Sequence, residues 1–360
     1  MFRSLSIISL CAVLAAGCTK KEGTIPDTTP TAPAVTEEQT MQSEEVVFSA
    51  AGMTIHGTVT KPPGDGPFPA IAVAAGSGPT DRNWESPMLP GGNGSGRLLA
   101  QELARAGVVV LRYDKRGTGA SGMPAAPISR TDYVSELAEA TKLLAGLPYV
   151  DAGDIHAAGH SEGATHALEL AANPPVPLAS VILLSPAGRS LRDIVIWQIA
   201  QQLEKSGLNP AARKAEIAAL TSALDKIAAG EAVDATRVGQ LPGIQQFVAS
   251  LQNPASVEFA RALLVFEPTT AFGSIDVPVL ILSGARDIQV DPELDTQPLA
   301  AAAQAAGRET KLVIVPTADH VLKHEDTPRE QLDATAGLRY NAEGRTLAEP
   351  VVQMIADWAK

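Results

Sequence analysis

Short apolar runs recur along this chain, and most are followed by a stretch with helical periodicity. The runs are FPAIAVAAG (68–76), VVVLRYD (108–114), DIHAAG (154–159), ASVILLSPA (179–187), DVPVLILSGA (276–285) and KLVIVP (311–316). A run that is apolar throughout has both faces buried, as a parallel strand between two helical layers does. The intervening segments supply the helices: SGRLLAQELARAG (95–107), with Ser95 as a possible N-cap, TDYVSELAEATKLLAGL (131–147), ATHALELAA (164–172), a helix near 293–306 and a last one near 346–359. Such alternation predicts an α/β fold, a mostly parallel sheet covered on both faces. Two further strand-like runs, VVFSA and MTIHGTVT, flank a turn at Ala51-Gly52 and read as a hairpin.

The alternation stops between residues 189 and 275, where no strand pattern occurs. That segment holds a well-marked helix: Asn209 as N-cap, Pro210 in the first turn and Gly230 past the end.

The N-terminus has a different character. MFRSLSIISLCAVLAAGC carries one arginine, an apolar stretch too short for a bilayer, and small residues before Cys18. Its end, LAAGC, resembles a bacterial lipoprotein signal, which implies acylation of Cys18 and a membrane partner through that lipid anchor. The expected location is the cell envelope, at the outer membrane or periplasm of a Gram-negative cell. Residues 19–44 are rich in Thr, Pro and Glu, too poor in apolar side chains to order themselves, and read as a tether. The expected organisation is signal 1–18, tether 19–44, a core made of 45–188 and 276–360, and a helical segment 189–275. The only cysteines are Cys11 and Cys18, so the core rests on no disulfide and no cysteine-type metal site. A net charge of −12 argues against a nucleic-acid partner.

The feature that points to chemistry is Gly159-His160-Ser161-Glu162-Gly163, lying between a strand pattern and a helix pattern. A strand that turns abruptly into a helix projects its middle residue from the sheet's carboxyl edge, and small neighbours two places away allow it. A serine hydroxyl there needs a base, and the base needs a carboxylate. Of the six histidines, His56 and His156 sit within strand patterns, and His160 adjoins the serine too closely to fold back on it. His166 belongs to the following helix, and His324 to the charged run KHED. His320, just past the last apolar run, is the expected base. Asp287 follows the strand VPVLIL directly and is the expected orienting acid; Asp276 precedes that strand, and Asp291 and Asp295 read as helix-start residues. For the oxyanion, the expected donors are the backbone N–H groups of Glu162 and of Ser77 in the loop GSGPTDRN, with Gly78 next.

Together GHSEG, AAGSGPTDR, RYDKRGTGAS, SGARDIQV and ADHVLK resemble, in order, segments of the α/β-hydrolase family, across about residues 45–360. The closest likeness is to serine esterases related to serine aminopeptidase-like and dienelactone-hydrolase-like proteins. The resemblance implies an α/β-hydrolase fold and a Ser161-Asp287-His320 mechanism through an acyl-enzyme. It also implies no metal or organic cofactor, and that 189–275 caps the pocket. Asp114 and Arg116 match a family turn and read as structural. The family's oxyanion loop often begins His-Gly; here Ala75 stands in place of the histidine. Asp81 and Arg82 could pair to brace that loop. Ile194, Trp197, Ile199, Phe247, Phe259 and Phe266 either line a substrate pocket or pack the cap itself.

The expected reaction is hydrolysis of a small-molecule carboxylic ester. An amidase or aminopeptidase would use the same residues, and a catalytically silent envelope scaffold is the third reading. Dehalogenase and epoxide hydrolase chemistry would need an acid at position 161.

Overall fold

The computed structural model describes residues 41–360. The cleavage site, Cys18 and nearly all of the tether therefore lie outside the described residues. The first strand, β1 (Gln42–Ala50), starts inside the span read as tether. Its polar residues Gln42, Ser43 and Glu44 pair with Lys61, Thr60 and Val59 of β2 (Met53–Lys61) through backbone groups, which need no apolar side chain.

Eight strands form one sheet in the order β1-β2-β4-β3-β5-β6-β7-β8. The others are β3 (Phe68–Ala74), β4 (Val109–Tyr113), β5 (Val150–His160), β6 (Ser180–Leu184), β7 (Val279–Gly284) and β8 (Thr310–Val315). The β1–β2 and β2–β4 pairs are antiparallel, and all later pairings are parallel. Alternate residues of each buried strand serve opposite layers. In β3, Ala70, Ala72 and Ala74 join the core under α2 (Arg130–Ala145), α3 (Glu162–Ala172) and α8 (Gln297–Ala305). Ile71 and Val73 face the other core, with α1 (Ser95–Arg105) and α9 (Val351–Trp358).

After β3 the chain crosses to β4 on one side, then returns to β5 on the other. The order reverses there, which opens a crevice at the carboxyl ends of β3 and β5.

Between β6 and β7 lie four helices: α4 (Leu191–Glu204), α5 (Pro210–Ala228), α6 (Pro242–Leu251) and α7 (Val257–Val265). Asn209 caps α5, its side chain accepting from the Ala212 N–H at 2.9 Å. Two helix starts differ from expectation. Gly94, not Ser95, is the N-cap of α1, since Ser95 already has helical backbone and is fully buried. The last helix begins only at Val351, because Leu347 is held in a bridge to Lys323 and Pro350 stands before the first turn.

Candidate active site

Ser161 sits between β5 and α3 with φ 54° and ψ −120°, a conformation that costs about 1–3 kcal/mol for a non-glycine residue. Its surroundings leave it no alternative. The Ser161 N–H continues the β5–β6 ladder to the Leu184 carbonyl at 2.8 Å, and the Ser161 carbonyl opens α3 by accepting from Ala164 at 3.0 Å. The flanking glycines allow the backbone to cross itself. A Cβ on Gly159 would lie 2.0 Å from the Gly163 carbonyl oxygen, and one on Gly163 would lie 2.5 Å from that of Ala74. The strand–turn–helix context that the motif requires is present.

Asp287 and His320 meet beyond the ends of β7 and β8. The His320 Nδ1 lies 2.7 Å from Asp287 Oδ2, and both residues are buried. The other carboxylate oxygen accepts from the Gln289 and Val290 N–H groups at 2.7 and 2.9 Å. An ionised carboxylate can only accept, so a neutral His320 ring facing it donates from Nδ1 and leaves its lone pair on Nε2. That Nε2 has no hydrogen-bond partner among the described residues. The two loops are tied by Arg286 N–H to the Ala318 carbonyl at 2.9 Å.

His320 and Ser161 are linked through His160. The His160 Nε2 donates to the His320 carbonyl at 2.8 Å, and its ring stacks on Trp84 with centroids 4.2 Å apart. Burial, with the His320 ring alongside, pushes His160 down to about 3, so it stays neutral. It therefore braces the backbone of His320, a contact its sequence position did not disclose. Behind the same loop, Asp319 accepts from the Val321 and Lys323 N–H groups at 3.0 and 2.9 Å and pairs with Arg345 at 2.8 Å. Burial pushes Asp319 up to about 6.

The other histidines stand elsewhere. His156 Nδ1 lies 2.7 Å from Ser180 Oγ, and His324 is exposed beside Asp326. His166 is buried against Tyr133, its Nε2 3.7 Å from Glu162. Asp276 pairs with Arg308 at the opposite end of β7, Asp291 caps the turn Pro292–Thr296, and Asp295 is held by Arg189 through two hydrogen bonds of 2.9 and 2.7 Å.

Ser77 and Ser161 share one pocket with Glu162, enclosing about 600 Å³ of empty space that is partly open to solvent. Gly76 packs directly on the elbow, where a Cβ would come within 3.3 Å of Ser161 Cβ. The pocket's outer wall comes from the helical insertion and includes Leu191, Ile194, Leu263 and Phe266. Of the aromatic and aliphatic residues weighed from sequence, Ile194 and Phe266 line the pocket. Ile199 and Phe247 pack the insertion's own core, and Phe259 packs with Ile128 and Tyr133. Trp197 lies between Arg189 and Arg329, at 5.4 and 5.8 Å.

Asp81 and Arg82 do not pair with each other. Arg82 reaches Asp114 at 2.9 Å and Glu45 at 2.6 Å, whereas Asp81 accepts the N–H groups of Asn83 and Glu85. Asp114 thereby ties the loop after β3 to the end of β4, and Arg116 is buried against Glu136 and Asp132 at 2.6 and 3.0 Å. Among the described residues no cluster of His, Cys, Asp and Glu could hold a metal ion, and no helix is long and apolar enough to cross a membrane.

The chain is 25% identical over 295 residues to Esterase EstD of Thermotoga maritima, covering 79% of this chain but only 63% of that protein. A hypothetical protein from Pseudomonas aeruginosa superposes with TM-score 0.53 at 17% identity, over 92% of this chain and 99% of that one. An esterase from Pyrococcus furiosus superposes with TM-score 0.51 at 15% identity, over 91% and 95%. At these identities the structural matches speak to fold alone. The Alpha/beta hydrolase family matches residues 71–335, a span that runs from β3 past the loop bearing His320. Sheet order, serine elbow and family match agree: this chain belongs to the alpha/beta hydrolase family.

Proposed function

We propose that the protein is a serine hydrolase of carboxylic esters, acting through an acyl-enzyme with Ser161 as nucleophile, His320 as base and Asp287 as the orienting acid. The observation that carries this reading is a strained serine at the strand–helix turn whose neighbour His160 holds the backbone of His320, itself paired with Asp287 at 2.7 Å in the interior. Ser161 Oγ attacks the ester carbonyl carbon as His320 Nε2 takes its proton. The tetrahedral intermediate collapses, the bond to the alcohol oxygen breaks, and His320 returns the proton to the leaving alcohol. Water, deprotonated by His320, then attacks the acyl-enzyme, and the acid and free serine are released. The oxyanion formed at each stage is met by the N–H groups of Ser77 and Glu162, the latter at the N-terminus of α3 where the helix dipole adds. Asp287 holds the imidazole in the needed tautomer and stabilises its cation. His320 Nε2 has no hydrogen-bond partner among the described residues, so the serine–histidine hydrogen bond forms only when substrate is bound.

Esters are favoured over aminoacyl amides by the pocket. Its lining contains one carboxylate, Glu162, and that group is held by Lys115 at 3.6 Å and His166 at 3.7 Å. Burial alone would raise Glu162, but the charge of Lys115 and the contacts with His166 outweigh it and hold its carboxyl below the ordinary carboxylate value. It is committed to its neighbours rather than to the amino terminus of a peptide. The apolar wall from the insertion, acting as a cap, suits an acyl chain and excludes water from the reaction. We also propose export and lipid anchoring at Cys18, tested by labelled-palmitate incorporation that a Cys18→Ser variant abolishes.

The decisive experiment uses the purified protein. A fluorophosphonate should label Ser161, chromogenic esters should turn over faster than the matching aminoacyl amides, and Ser161→Ala should lose at least about 10⁴-fold in kcat/KM with its melting temperature kept. Turnover of esters by Ser161→Ala at the wild-type rate refutes the assignment. Amides outpacing esters moves the protein to the peptidase reading.

A further inference from the structure

A fully buried ammonium lies behind the expected oxyanion donors, unused by the mechanism above. Lys115 follows β4 and is 3% exposed. Its Nζ donates to the Gly76 carbonyl, stands 3.6 Å from Glu162 Oε1 and lies over the Tyr133 ring at 5.4 Å. The carbonyl it holds belongs to the same planar peptide as the Ser77 N–H. In a trans peptide those two groups point opposite ways, so a donor fixed on the carbonyl fixes the direction of the N–H. A charged donor also polarises the peptide and strengthens its N–H as a donor. The carboxylate that balances Lys115 belongs to Glu162, whose own N–H is the other expected oxyanion donor.

We propose that Lys115 is a positioning residue of the oxyanion site. Its ammonium clamps the Gly76–Ser77 peptide from behind, and its tie to the Glu162 carboxylate holds the loop after β3 and the start of α3 at one fixed spacing. The inference rests on the reading that Ser77 and Glu162 supply the oxyanion donors. Burying an ammonium is costly, and a chain that needed only to fill this space could do so with a methionine or leucine. Burial also lowers Lys115 from its ordinary value, with Glu162 and Glu136 opposing the loss of charge.

The test compares wild type with Lys115→Met, Glu162→Gln and the double variant, using p-nitrophenyl butyrate and a trifluoromethyl ketone, whose adduct places an oxyanion in the site. Losing a whole oxyanion donor costs about 10²–10³ in kcat. Misdirecting one should cost Lys115→Met about 10–100-fold in kcat with KM changed less than about threefold. The inhibition constant of the ketone should rise by the same factor as kcat/KM falls. Glu162→Gln, of unchanged shape, should show a smaller loss of the same pattern. If Lys115→Met fails to fold, the double variant, which removes both buried charges together, carries the test. A folded variant lacking the lysine with wild-type kcat and ketone affinity overturns the clamp, as does a lowered melting temperature with no change in ketone affinity. Absence of fluorophosphonate labelling or ester turnover in the wild type would instead sink the esterase reading beneath it.

Discussion

At the carboxyl rim of the sheet, side chains are set by directional contacts; in the helical insertion facing it they are set by apolar packing. Asp287 makes three hydrogen bonds, His320 is braced through its carbonyl by His160, and Asp319 and Arg345 pair behind it. The insertion is built around Val195, Ile199, Leu220, Leu224, Ile244 and Phe247. Its polar ties to the rest of the fold include Gln198 Nε2 to the Gln289 carbonyl at 2.8 Å and Arg189 to Asp295 at 2.9 and 2.7 Å. Proton transfer tolerates errors of about half an ångström, which packing alone does not enforce without supporting hydrogen bonds. Holding an acyl chain demands shape and dryness, which carbon supplies with more tolerance. Under the proposed function, this difference puts chemistry at the rim and selectivity in the insertion.

The comparison breaks most sharply at the rim. Asp287→Asn should lower kcat by about 10³–10⁴-fold on every ester, because the amide favours the wrong tautomer of His320. A loss that varied with chain length would give Asp287 a pocket role. Next in size is Leu224→Ala, a fully buried position of the insertion's core. It should cost about 2–5 kcal/mol of stability, measured by urea unfolding, while hydrolysis of acetate esters at low temperature stays near the wild-type rate. Equal losses on acetate would show that the insertion also orders the rim. Ile194→Ala, at the pocket wall, should raise KM for hexanoate or octanoate esters about tenfold and leave acetate within about twofold, from the lost burial of the chain. An unchanged chain-length profile would remove Ile194 from the pocket.

The smallest effect is in pH dependence. His160 sits at about 3 in the fold against 6.5 when unfolded, so the unfolded chain binds more protons between those values. Its share of stability is present above 6.5 and is lost as the pH falls. Asp319, raised to about 6 from 3.8, acts with the opposite sign: between those values the folded chain binds more protons, so acid favours it. The two offset each other. Asp319→Asn should therefore lose stability faster than wild type between pH 6 and 4, by up to about 1.4 kcal/mol per pH unit. Parallel stability curves would show that Asp319 titrates alike in both states.

Much of this was legible before any coordinates. Continuous apolar runs mark strands buried on both faces, and the GHSEG pattern between strand and helix signals marks the elbow, because both depend on neighbours in the chain. The misreadings share one cause. Asp81 and Arg82 are adjacent in sequence, but Arg82 finds its partners on β1 and just past β4. Lys115 lies within RYDKRGTGAS, where nothing local says that a lysine will be buried against Gly76. Ser95 was read as a cap because it is a serine at a helix start, while the fold used Gly94.

What the amino-acid sequence determined by itself was the alternation that demands a covered parallel sheet and the strained serine that such a sheet presents at its edge. Tertiary structure alone decided that Asp287 and His320, 33 residues apart, meet within 2.7 Å, and that His160 holds the His320 carbonyl. It also decided that Lys115 stands behind Ser77. Periodicity and glycine placement are local and survive in one dimension. The distances between strand ends are set by sheet order, and only the closed fold contains them.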